Sequence, residues 1–81
     1  MNQTLVVSQP ASGQIVNIVV NGEPRAAAAG TTIAQLLESL RLDPRTLAVE
    51  LNLDVIPRGR HAECLLHDGD RLEIVTLVGG G

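Results

Sequence analysis

Ile15-Val16-Asn17-Ile18-Val19-Val20-Asn21-Gly22 is the stretch on which the fold turns. Its β-branched residues read as a strand. Val16, Ile18 and Val20 share one face of it. Asn21-Gly22 is a two-residue hairpin signal, because a type I′ turn needs positive φ at both central positions and Asn and Gly tolerate it. A second strand must then follow, at about Glu23 to Ala28. The run Ala26 to Ala29 pulls the other way, since alanine is the best helix former. The turn signal outweighs the alanines.

Downstream, Ile33, Leu36, Leu37 and Leu40 recur at i, i+3, i+4 and i+7, the apolar stripe of a helix over Thr32 to Arg41. Thr32 can cap its first turn, and Gln35 completes a capping-box pattern. Asp43-Pro44 ends the element, because proline disfavours helix in the residue before it. Leu47, Val49 and Leu51 alternate with Ala48 and Glu50, a half-buried strand. Asn52 to Asp54 is a turn, and Val55-Ile56 is a strand stub cut off by Pro57. Arg58 to Leu66 shows no period and is expected to be irregular. Asp68-Gly69-Asp70 reads as a tight turn, supported by aspartate side chains and a free glycine φ. The last strand runs from Arg71 to Val78. Leu72, Ile74, Thr76 and Val78 should face in; Val75 and Leu77 should face out. A helix packed across a small mixed sheet satisfies this order, which is an α+β class. The last strand is expected to pair centrally, beside the first.

Composition narrows the function. The 81 residues form one domain, with little room for an internal cleft at this size. No apolar run approaches the roughly 20 residues of a membrane span, so no membrane role is expected. Residues 1–14 lack the features of a signal peptide and show no amphipathic period, so a mobile N-terminal arm is expected, with the domain proper over residues 15–81. A single cysteine, Cys64, cannot make an internal disulfide, which points to the cytoplasm. The net charge is -3 and there is no aromatic residue. Neither a basic footprint nor a base-stacking platform is present, and no nucleic-acid partner is expected. Every basic residue is an arginine: Arg25, Arg41, Arg45, Arg58, Arg60 and Arg71.

The given sequence closes on Val78-Gly79-Gly80-Gly81, directly after the apolar strand. Glycine lacks a Cβ and can thread narrow channels. Four extended residues reach roughly 13 Å. Such a tail presents one chemical group at a distance, the α-carboxylate of Gly81. Exposed Val75 and Leu77 beside it suggest a docking surface.

Ordered together, Ile18-Val19-Val20-Asn21-Gly22-Glu23, Thr32-Ile33-Ala34-Gln35-Leu36-Leu37, Ala48-Val49-Glu50-Leu51-Asn52, Pro57-Arg58, Asp68-Gly69-Asp70-Arg71-Leu72-Glu73-Ile74-Val75 and the terminal glycines resemble the ThiS family, the ubiquitin-like sulfur carriers of bacterial thiamine biosynthesis. The likeness covers about Val16 to Gly81. It implies a β-grasp fold and a carrier that acts as a protein cosubstrate rather than an enzyme. It implies that a ThiF-like enzyme uses ATP to adenylate Gly81 and that sulfur from a cysteine desulfurase system gives a thiocarboxylate. A ThiG-like thiazole synthase then takes the sulfur. Gly79 and Gly80, with Val78, would thread the partners' sites. ATP would be held by the activating partner, since this chain has no phosphate-cradling loop and is expected to bind no cofactor of its own. The chain departs from the family in its N-terminal extension, in His61 where a tryptophan is frequent, and in a third terminal glycine.

Other readings compete. The small subunit of molybdopterin synthase shares fold and tail, but approaches its glycines through proline and aromatic residues, which Thr76-Leu77-Val78 lacks. A plain β-grasp interaction module with an inert tail, or a modifier forming isopeptide bonds, fits the same pattern. His61, Cys64 and His67 at i, i+3 and i+6 admit a metal or Cys/His nucleophile reading, but in an irregular segment they read first as packing and solvated side chains. Asp68 and Asp70 are too few for a hard cation and read as turn residues.

Overall fold

The computed structural model describes residues 13–77. Five strands and one helix make up the domain: β1 (Ile15–Val20), β2 (Glu23–Ala28), α1 (Ile33–Ser39), β3 (Leu47–Leu51), β4 (Asp54–Ile56) and β5 (Arg71–Thr76). Short 3₁₀ segments, Pro44–Thr46 and Arg58–Glu63, complete them.

The hairpin forms as its turn dictates. Asn21 and Gly22 take φ of 50° and 85°, the double left-handed requirement of the turn. β1 and β2 then pair antiparallel from Val20↔Glu23 to Ile15↔Ala28. Ala26 to Ala28 are strand and Ala29 begins the following turn, because the register puts Ala27 opposite Val16 and against the core. Tertiary packing overrides a weak helix preference.

The helix starts as read. The Thr32 hydroxyl accepts from Gln35 N–H at 3.1 Å and the Gln35 carboxamide accepts from Thr32 N–H at 3.0 Å, the reciprocal capping box. It ends earlier than the stripe suggests, at Ser39 rather than Arg41. Arg41 turns left-handed, with φ of 61°. Its N–H then donates to Glu38 O, and Leu42 N–H donates to Leu37 O at 2.9 Å. This paired closure is the Schellman arrangement, with arginine where glycine is usual. Ile33, Leu36 and Leu37 are the buried stripe.

The sheet order is β2-β1-β5-β3-β4. β1 and β5 run parallel; the other neighbours are antiparallel. The last strand is therefore central and lies beside the first, as expected. One face of the sheet carries Ile18, Leu47, Val49 and Leu72, which bury with the helix stripe and Leu66 into an all-aliphatic core. At about 25 cal/mol per Å² of apolar surface, these side chains supply the main drive to fold.

Two expectations need correction. Residues 58–66 are not irregular throughout, since Arg58–Glu63 winds into a 3₁₀ helix. That helix buries His61, 3% exposed, whose Nε2 lies 3.0 Å from Ile56 O. Thr76 does not face into the core but is exposed. The 7 residues of α1 span only roughly 10 Å, so the covered part of β5 ends at half-buried Ile74. Val78 lies outside the described residues.

Candidate functional site: the exit of the central strand

β5 is held differently at its two ends. At the entry, the Asp68-Gly69-Asp70 turn is tied into the body of the protein. Asp68 Oδ1 accepts from Asn17 N–H at 2.7 Å. Asp70 Oδ2 accepts from His67 N–H at 2.7 Å, and its Oδ1 accepts from the Asn52 carboxamide at 3.0 Å. Asn52 Oδ1 in turn accepts from Arg71 N–H at 3.0 Å. Gly69 sits at φ of 90° and donates to Asn17 O at 2.7 Å. Both aspartates are turn residues, satisfied locally.

At the exit the support thins. The β1 ladder ends at Val20↔Leu72. Asn21 extends it by one step with its side chain: Oδ1 accepts from Ile74 N–H at 2.7 Å, and Nδ2 donates to Ile74 O at 3.1 Å. Beyond that, the register holds β5 to β3 as far as Leu47↔Thr76, and Leu77 N–H donates to Thr46 O at 2.7 Å. Thr46 is fixed by the 3₁₀ turn that Asp43 caps: Asp43 Oδ1 accepts from Arg45 N–H at 2.9 Å, and Asp43 O accepts from Thr46 Oγ1 at 2.9 Å. Hydrogen bonds from Arg45 hold the Asp43 carboxyl below the usual carboxylate range.

Val75 and Leu77 are 52% and 53% exposed. They lie on the sheet face opposite the helix, with Ala48 paired to Val75. On the same face Glu50 stands directly across from Glu73. Like charges in a cross-strand pair are unfavourable. The exit thus presents an apolar patch with an acidic margin, a feature the sequence reading missed because it needs the β3–β5 register.

The terminal residues assigned to threading, Val78, Gly79 and Gly80, and the carboxylate-bearing Gly81, lie outside the described residues. The histidines and cysteine are dispersed: His61 turns into the core, while Cys64 and His67 line an open groove of about 600 Å³ at the entry side. Among the described residues no three His, Cys, Asp or Glu groups cluster as metal ligands would, and no helix is long and apolar enough to cross a membrane.

A helix laid across a mixed sheet whose last strand is central, with a glycine-rich stretch following it in the sequence, defines the ubiquitin-like β-grasp class. The ThiS family model matches residues 18–81, and the chain belongs to the ThiS family. It is 30% identical over 66 residues to the sulfur carrier protein ThiS of Escherichia coli, covering 82% of this chain and 100% of that one. The crystal structure of the thiamine biosynthesis protein ThiS from Geobacter metallireducens superposes with a TM-score of 0.72 at 32% identity, covering 82% of this chain and all of that one. The chain is also 44% identical over 66 residues to a thiazole synthase of Paramagnetospirillum magneticum, of which it spans 20% of the length. A ThiS-like segment is thus part of a longer thiazole synthase polypeptide in that organism.

Proposed function

We propose that this chain is a sulfur carrier for thiazole formation in thiamine biosynthesis, acting as a protein cosubstrate in the cytoplasm. Its reactive group is the Gly81 carboxylate. A carboxylate is a poor electrophile, so a ThiF-like partner joins it to AMP from ATP, releasing pyrophosphate. The terminal sulfur of a persulfide on the cysteine desulfurase system attacks the acyl adenylate and AMP leaves, giving an acyl disulfide; a second thiol then attacks the donor's sulfur, forming a disulfide there and releasing the thiocarboxylate on Gly81. That sulfur is a nucleophile, which a ThiG-like thiazole synthase takes into the ring. Val78, Gly79 and Gly80 thread the tail into each partner's site, a terminal-carboxylate capture. Val75 and Leu77 form the docking patch, and the Glu50–Glu73 pair suits a partner surface bearing cations. Residues 15–81 are the carrier domain, and residues 1–14 are dispensable for transfer.

The observation that carries this reading is the exit geometry of β5. A central strand is anchored on both sides at Leu72 and by Leu77 to Thr46, and in the sequence Val78-Gly79-Gly80-Gly81 follows it directly. Family membership and the thiazole synthase relative support the same partner chemistry.

The test is the intact mass of the chain after incubation with the activating enzyme, ATP and a sulfur source. One oxygen replaced by sulfur, lost when Gly81 is deleted, is the expected result. An unchanged mass with a demonstrably active enzyme leaves only an interaction module. Removing residues 1–14 should leave the mass change intact.

A further inference from the structure

The hydrogen-bonding directions along β5 alternate, and they leave one side of its exit open. Leu77 N–H points to β3, since it donates to Thr46 O. By the period of two, Ile74 and Thr76 point the other way, and Ile74 does bond there, to Asn21. Thr76 is the next outward residue. The β1 register has already ended, at Val20↔Leu72, and the Asn21 side chain reaches only Ile74. Among the described residues, nothing on the β1 side meets the Thr76 N–H. Thr76 is exposed.

We propose that this edge of β5 at Thr76 is a docking rail on which an extended segment of a thiazole synthase adds as a further strand. This rests on the carrier reading above. Two observations choose that occupant. Val78 and the glycines follow Thr76-Leu77 directly, so a partner that takes the tail into its site must cover the exit of β5. A ThiS-like segment within a thiazole synthase polypeptide also shows the two in one chain. Strand addition to an open edge draws affinity from main-chain bonds, with side-chain pockets adding specificity. The Asn21-Gly22 turn closes the rail on one side, and exposed Val75 and Leu77 give the incoming segment apolar neighbours.

Thr76→Pro removes the outward N–H and nothing else in the internal ladder. Proline is tolerated on an edge where the N–H faces solvent, and it favours extended backbone in the preceding residue, which Val75 already has. Thr76→Val keeps the N–H and is the control. The full-length proteins are titrated with the thiazole synthase of the same organism, with thermal midpoints measured alongside. The expected result is at least a tenfold loss of affinity for Thr76→Pro, wild-type affinity for Thr76→Val, and retained midpoints. Thr76→Pro binding within twofold of wild type overturns the rail while leaving the synthase as partner. Failure of the wild-type chain to bind removes the partner reading and the rail together. If proline lowers the midpoint, amide exchange of the wild-type chain decides. Exchange at Thr76 slowed at least tenfold by the synthase supports the rail, and an unchanged rate rejects it.

Discussion

Leu72 and Leu77 stand on one short stretch of chain, yet they live under different physics. Leu72 is 1% exposed and sits where β5 is paired to β1 and β3 at once. Leu77 is 53% exposed and is held by one backbone bond to Thr46. The entry of the strand is buried and paired on both sides, and the exit is exposed. A carrier needs both, because a tail can be offered to partners only from a root that does not move.

The contrast makes graded expectations. Leu72→Ala should cost about 2–5 kcal/mol, the range for a truncated buried leucine, measured by denaturant unfolding; a loss as small as that of an exposed residue would break the comparison. Asp70→Ala frees His67 N–H and the Asn52 carboxamide and should cost about 1–3 kcal/mol, placing entry turn and core on the same side. At the boundary, Asn21→Gly keeps the left-handed turn but deletes both bonds to Ile74. A loss of about 1 kcal/mol, with faster amide exchange at Ile74, would fix where support ends. Leu77→Ser should change stability by no more than about 0.5 kcal/mol, as for surface positions generally, while weakening association with partner enzymes. A large drop in its melting temperature would mean that the exit is structural.

The smallest effect concerns acid. The folded pKa of Asp43 is depressed by Arg45, so its contribution is complete above the unfolded carboxylate range near 4 and is lost as pH falls through the folded value. Asp43→Asn should lower stability slightly at neutral pH, and the difference from wild type should shrink as pH falls below about 4, which a pH series of denaturant unfolding measures. The Asp43 side chain is 41% exposed, so solvent screens the effect.

Much of the fold was legible because its signals are local. Asn21-Gly22 announces the hairpin, Thr32 and Gln35 announce the helix start, and the alternation from Leu47 to Leu51 announces β3. What escaped the sequence was set by tertiary contact. Arg41 at a left-handed helix end looks like ordinary stripe continuation until its N–H is seen on Glu38 O. The 3₁₀ helix at Arg58–Glu63 has no period of its own and is held by burying His61. Thr76 kept the inward phase of its strand, but the core stops short of it. At the site, the exposure of Val75 and Leu77 could be read from alternation. The Glu50–Glu73 pair and the open edge at Thr76 could not, since both depend on which strands become neighbours.

The sheet order also bears on how the protein is made. A ribosome delivers β1–β2 first and β3–β4 later, and each pair can zip as a local hairpin. Neither pair touches the other in the ladder, because the strand between them, β5, is the last to be synthesised. Isolated two-stranded hairpins are marginal in water, so the sheet closes only once the Arg71–Leu72 end of β5 can pair with β1 and β3. A nascent chain interrupted anywhere before that point has no stable domain to present. Folding thereby acts as a check on translation: a molecule that passes as native has already been read into the last strand of its sheet.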